Sequence, residues 1–389
     1  MSKDVAVVGV GQTEYKSQHT DKSHPELTYE ATSQALAHAG LEQEDLDAVV
    51  FGTMDPFDGV NRPDKWEAGG AGATDTRYMK TSTGGTTGLS AGINAYHMVA
   101  GGLNDIEIGM AVCTQRVGEG KETQPILNTV YDPFFDRPLG VGAISQAAFQ
   151  ATRYEQLYGL TDEQRAAVSV KNRQNALDNP LSHLNTDIDV DDVLESPLVT
   201  TPFHLHECPP SSDGSIAVVF ARGDRAEELR DNPAWVTGEM ELADSKYLGD
   251  RPDLAYWGSL ALAARELYRE VGVSDPFEYF DVAELYSPFS TREIMNLEAL
   301  GFAEKGGAAN WAVDGTTHRD GEMPVDPSGG NLSSHPIGAT GLTKLAEASL
   351  QVMGEAGDHQ VDGVETALAQ GCGGNIQLHA LMALSAHRE

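Results

Sequence analysis

Cysteine is scarce in this chain of 389 residues: Cys113, Cys208 and Cys372 are the three thiols, and no two share a short spacing. That excludes a disulfide framework and a paired-cysteine zinc site. Positive charge is scarce too, with 26 Lys plus Arg against 59 Asp plus Glu and a net charge of −33. Without a basic stripe to neutralise phosphates, nucleic acid is excluded as a partner. No apolar run reaches membrane-spanning length and no secretory leader is visible, so a soluble, cytoplasmic protein is expected. The acid residues form no single tail. They are dispersed, as in NTDIDVDDVLESP, and Lys is rarer than Arg. Such dispersed acidity fits a salt-filled cytoplasm, where screening removes the self-repulsion, and points to a halophilic archaeon.

What is present is α/β grammar. DVAVVGVGQTEY reads as a strand, ELTYEATSQALAHAGL as a helix ending on glycine, and DAVVFGTM as a strand. TSTGGTTGLSAGINAYHMVAGG, residues 81–102, is a small-residue turn feeding a helix, and IEIGMAVCTQ is the strand after it. The second half repeats the order. WVTGEMELAD, LALAARELYREVGV, FDVAELYSPF and STREIMNLEALGF alternate strand and helix, HPIGATGLTKLAEASLQVM is another turn and helix, and VETALAQGCGG and IQLHALMALS are closing strands. The turn-and-helix units at 84–101 and 335–352 hold equivalent places, which suggests an internal duplication. Residues 1–114 and 214–230 then form an N-terminal half and 231–389 a C-terminal half. Residues 115–213 are an inserted segment of a size that usually covers a site.

The sharpest chemical signal is HPIGATG, beginning at His335. An imidazole at such a helix start can act as a general base or donate to a developing oxyanion. MPVDPSGGNLSSHPIGATG as a whole resembles the C-terminal signature of thiolases, above all their sterol-carrier-protein-like branch. The resemblance continues through YEQLYGLTDEQRAAVSVKNRQNALDNPLSH, VTTPFHLHECPPSSDGSIAVVF and DVAELYSPFSTREIMNLEALGF, and so covers nearly the whole chain. It implies a five-layered α-β-α-β-α fold from two duplicated βαβαβ halves with a loop domain inserted in the first. It also implies coenzyme A thioester substrates, no tightly bound cofactor, and a dimeric core. In that family a cysteine at the tip of the first turn takes the acyl group, and a histidine matching His335 activates it and helps hold the thioester oxygen.

The departures are as informative. Gly85 stands where the resemblance places the cysteine, and the hydroxyls nearby include Ser82 and Ser90. Either serine beside a histidine is a chemically reasonable nucleophile, and the sequence does not choose between them. Tyr286, in Tyr-Ser-Pro-Phe, replaces the branch's usual His or Asn and could donate to the thioester carbonyl. Cys372, in GCGGN, falls near the family's second, acid–base cysteine. His204 and His206 have a metal-like spacing but no supporting framework, so no metal is expected; His379 reads as a packed strand residue. Arg116, Lys121 and Arg173 are available for coenzyme A phosphates.

Three functions follow. The first is a β-ketothiolase, similar to haloarchaeal subunits that supply acetoacetyl-CoA for polyhydroxyalkanoate synthesis, working with a separate small OB-fold, zinc-ribbon subunit. The second is a retro-aldolase acting on 3-hydroxyacyl-CoA, which Gly85 and Tyr286 fit. The third is a non-catalytic scaffold that has lost its nucleophile.

Overall fold

The computed structural model describes residues 4–58, 62–102, 106–116, 120–374 and 376–388. Nine strands form one mixed sheet: β1 (Val5–Gln12), β2 (Ala48–Gly52), β3 (Arg77–Thr81), β4 (Ile108–Gln115), β5 (Gly214–Arg222), β6 (Ala234–Ala243), β7 (Val282–Glu284), β8 (Thr366–Gly373) and β9 (Leu378–Ser385). Their spatial order is β3-β2-β4-β5-β1-β6-β9-β8-β7. In the first half β2 runs parallel to β4, β4 antiparallel to β5, and β5 antiparallel to β1. In the second half β7 runs parallel to β8, β8 antiparallel to β9, and β9 antiparallel to β6. The two arrangements match strand for strand. A parallel bridge from Ala283 to Val325 stands where β3 stands in the first half. The halves join through a short antiparallel contact of β1 with β6, Ala6 opposite Trp235 and Val7 opposite Ala234.

The longer helices are α1 (His24–Ala39), α2 (Thr87–Ala100), α3 (Ala143–Tyr158), α4 (Asp162–Leu177), α5 (Gly258–Val271), α6 (Ser290–Ala299) and α7 (Thr340–Met353). α1 starts on a Ser23/Glu26 capping box and stops at the left-handed Gly40, as its sequence signals. It covers one face of the first half, and α5 covers the corresponding face of the second. Between the halves lie α2 and α7, which touch each other and strands of both. Both are buried nearly all round, which is why neither shows a clean polar stripe. Their starts meet backbone to backbone: Gly88 N–H donates to Gly338 O at 2.8 Å. A Cβ on Gly88 would lie 2.5 Å from Leu342 N, and one on Gly341 would lie 2.7 Å from Leu89 N. Glycine is required at both places by the approach of the other helix.

The strand read from FDVAELYSPF is shorter than expected and ends at Glu284. The next three backbone N–H groups leave the ladder for side chains: Leu285 donates to Asp326 Oδ1, Tyr286 to Gln370 Oε1 and Ser287 to Asn331 Oδ1. That diversion turns the chain so that Tyr286 points away from the sheet toward α7.

Within 115–213, α4 lies against α6 and is tied to the segment before His335. Lys171 Nζ donates to Val325 O at 2.8 Å, Asn175 to Asp326 O at 3.0 Å and Arg173 Nε to Leu332 O at 3.3 Å. The segment thus holds the second turn in place from outside.

Candidate active site

One cavity of about 370 Å³ opens where the starts of α2 and α7 and the end of β8 converge. Gly84 and Gly85, Tyr286, His335, Cys372 and Arg292 all line it, and α3, Trp257 and Phe289 supply apolar wall. His335 is 8% exposed, and its ring meets that of Tyr286 edge-on with centroids 5.4 Å apart. Two donors converge on Nδ1 of His335: Asn331 Nδ2 at 3.0 Å and the Thr340 hydroxyl at 3.0 Å. With Nδ1 accepting, the ring proton sits on Nε2. Burial, reinforced by the nearby Lys344 ammonium, pushes the imidazole down to about 3. His335 is therefore a neutral N–H donor at ordinary pH, suited to an oxyanion rather than to proton abstraction.

Lys344 is itself fixed by two buried carboxylates, Glu284 Oε2 at 2.9 Å and Asp326 Oδ1 at 2.7 Å. This trio joins the end of β7, the loop ahead of His335 and α7 behind it. The Tyr286 phenol donates to Ile337 O at 3.2 Å, and burial raises it, so it too remains protonated. Cys372 lies in the last turns of β8. Burial pushes its thiol up to about 11 against the opposing pull of Arg292 and Arg251.

Gly85 is where a side chain cannot be added. A Cβ there would lie 2.3 Å from Cys372 O and 3.0 Å from the Tyr286 hydroxyl. The end of β8 occupies the space a cysteine at this turn would need. Ser82 and Ser90, the two serines singled out in the sequence, are not among the residues lining the cavity. Ser82 is exposed on the approach to the turn. Ser90 is buried in α2, donating to Glu241 and accepting from Thr83 Oγ1 at 3.0 Å. Neither lines the cavity with His335, and the Ser90 hydroxyl is committed to Glu241.

The remaining candidates have ordinary places. His379 is buried on β9 with Nε2 2.9 Å from Ser259 Oγ. His204 Nδ1 lies 2.7 Å from Ser196 O. Among the described residues no group of three or more His, Cys, Asp or Glu is arranged to hold a metal ion. Arg116 is paired with Asp213, with 3.5 Å between Nε and Oδ2, and Arg173 is buried behind the second turn. The side chain of Lys121 lies outside the described residues. Lys246, which sequence reasoning passed over, is the lysine on the cavity wall. Asn331, Lys344 and Arg292 were also missed. Asn331 sits in the very string that resembles the family signature, four residues before His335, and Lys344 follows three residues past its end; a search for what orients the histidine would have found them.

Comparison with known proteins gives this architecture its family. Residues 241–386 match the thiolase C-terminal domain-like family. Acetyl-CoA acetyltransferase of Methanothermobacter thermautotrophicus is 35% identical over 378 residues, spanning 96% of this chain and 97% of its own. Sterol carrier protein 2 of Homo sapiens is 27% identical, with 95% of this chain and 70% of that protein covered. Among solved structures, the Ltp2-ChsH2(DUF35) aldolase superposes with a TM-score of 0.84 at 25% identity, covering 100% of this chain and 99% of that one. The chain belongs to the thiolase superfamily. Within it, the chain falls in the sterol-carrier-protein-2-like branch and is a thiolase-like enzyme of the acyltransferase class.

Proposed function

We propose that this chain is an acyl-CoA C-acyltransferase that makes or cleaves 3-oxoacyl-CoA, with Cys372 as its acyl carrier. The observation that carries the reading is the meeting of His335, Tyr286 and Cys372 on one cavity, in a chain related along its length to an acetyl-CoA acetyltransferase. The Cys372 thiol attacks the thioester carbon and CoA leaves as the free thiol, taking the proton. The α-carbon of a second acetyl-CoA then displaces the Cys372 sulfur from the enzyme thioester as its α-proton passes to that departing sulfur, so the new carbon–carbon bond forms, the carbon–sulfur bond breaks and the thiol is restored in one concerted step. His335 Nε2–H and the Tyr286 phenol donate to the oxygens on which charge develops. Cys208 also borders the cavity, yet its thiol is bonded to His204 O at 3.5 Å and burial pushes it up to about 12 with no cation opposing. A serine carrier at 82 or 90 would need the start of α2 to rearrange.

A homodimeric core and a separate small OB-fold subunit belong to the same reading; the aldolase neighbour, whose name joins Ltp2 to a DUF35 protein, supports the second chain. A role in supplying acetoacetyl-CoA for polyhydroxyalkanoate synthesis in a halophilic archaeon rests on the sequence resemblance and the acidic composition.

A second reading, a retro-aldolase, is favoured by one feature, the exclusion of any side chain at position 85. Cleavage of a 3-hydroxyacyl-CoA into a carbonyl product and acetyl-CoA needs no acyl carrier, and the same two donors would hold the enolate. The assay separates them: thiolysis of acetoacetyl-CoA requires free CoA, whereas aldol cleavage of a 3-hydroxyacyl-CoA does not. CoA-dependent formation of acetyl-CoA is expected, and cleavage that ignores free CoA would replace the first reading with the second.

A further inference from the structure

Arg292 is a buried cation without a counter-anion. It lies in the first turn of α6, is 8% exposed, and lines the cavity beside Cys372 and Tyr286. Its guanidinium rests over the Trp257 ring, 4.8 Å from the centroid. Among the described residues no ion pair or side-chain hydrogen bond holds its guanidinium, and no carboxylate is among the charges acting on it. Burial pushes it down to about 10, and the neighbouring Arg251 cation adds to the effect. Cys372 is a protonated thiol in the resting protein and does not supply the missing charge.

Its surroundings have unused polar capacity of the same kind. Arg251 stands behind it with Nη1 and Nε unbonded, its sole nearby acid being Asp244 at 3.8 Å. The indole Nε1–H of Trp257 and Oε1 of Gln146 are buried without partners, and both residues line the cavity. In a chain with 59 acidic residues, leaving an arginine unpaired here is a costly arrangement unless something arrives to pair with it.

We propose that Arg292 is the receptor for a carboxylate at the far end of the substrate's acyl group, so that the enzyme's preferred thioesters are CoA monoesters of dicarboxylic acids. The guanidinium fork takes the carboxylate oxygens in the bidentate geometry that arginine favours, and the unpartnered Nε1–H of Trp257 is a further donor on the same cavity. The apolar wall of Phe289, Ile144 and Leu127 holds the methylenes between thioester and carboxylate. The proposal rests on the reading of the cavity as a CoA-thioester site and adds its selectivity.

Two non-reactive thioethers of matched length, S-(carboxybutyl)-CoA and S-pentyl-CoA, test it by equilibrium titration at fixed high salt. The carboxylate ligand is expected to bind about 10- to 100-fold more tightly to the unmodified protein, as a buried charge-assisted pair commands. Arg292→Met should erase the difference, and Arg292→Lys should retain part of it. Equal affinities in the unmodified protein, or a preference that survives Arg292→Met, would overturn the proposal while leaving the thioester reading intact. Binding of neither ligand would remove both. The comparison on the unmodified protein decides the matter even where Arg292→Met does not fold.

Discussion

His335 and Gly85 carry opposite lessons about single residues. At His335 the residue type was legible from HPIGATG, but its role was not, because role depends on which ring nitrogen is free. Asn331 and Thr340 fix that by bonding to Nδ1, and burial keeps the ring neutral. The pH dependence of kcat/KM should therefore show no acid limb near 6.5 belonging to this histidine. The same shift bears on stability. A histidine ordinarily titrating at 6.5 and held at about 3 when folded contributes its full stability above 6.5, and that contribution is lost as pH falls from 6.5 toward 3. Urea melts across that window should show the slope, and His335→Gln should reduce it while lowering kcat/KM by about 10²- to 10³-fold, the usual cost of an oxyanion donor. At Gly85 the sequence shows a missing nucleophile but not the reason. The Cys372 carbonyl fills the site. Gly85→Cys is expected to destabilise the protein by about 1–3 kcal/mol through overpacking, without providing a new acyl carrier. A gain in thiolysis by that variant would show that the turn has room after all.

At the scale of elements, periodicity and caps made nearly all the layout readable. Strands such as VAVVGVGQ are buried throughout because both faces are covered, which makes them almost wholly apolar, and α1 announces its own ends. The strand at 282–284 is shorter than its sequence suggests because its successors bond to side chains forty-one or more residues away, which no local pattern encodes. Positions of Ser82 and Ser90 were unreadable for a related reason: one helical turn decides whether a hydroxyl meets the cavity or Glu241. At the crossing of α2 and α7 the two backbones approach closely. Gly88→Ala or Gly341→Ala must push the two helix starts apart, at about 1–3 kcal/mol each. Because both probe one contact, the double variant should cost less than the sum of the singles, measured by denaturant unfolding.

The whole molecule is governed by its charge. Several of its scarce cations are each shared among two or three acids. Arg388 bridges Asp4, Asp224 and Glu227, and Arg165 holds Glu155, Asp162 and Glu207. The remaining acids repel one another across the surface. Raising KCl from roughly 0.1 M to roughly 1 M shortens the screening length from about 10 Å to about 3 Å. The melting temperature should rise steadily over that range. A flat or falling profile would show that self-repulsion does not limit this fold.

An acyl group that passes through Cys372 must leave a covalent mark there. Intact-mass and peptide analysis of the protein after exposure to acetyl-CoA at high salt tests it most directly. One acetyl group is expected on the peptide carrying Cys372, absent in Cys372→Ala and undiminished in Ser82→Ala. An acetyl group on Ser90, or no adduct in a preparation that still cleaves its thioester substrate, would contradict it.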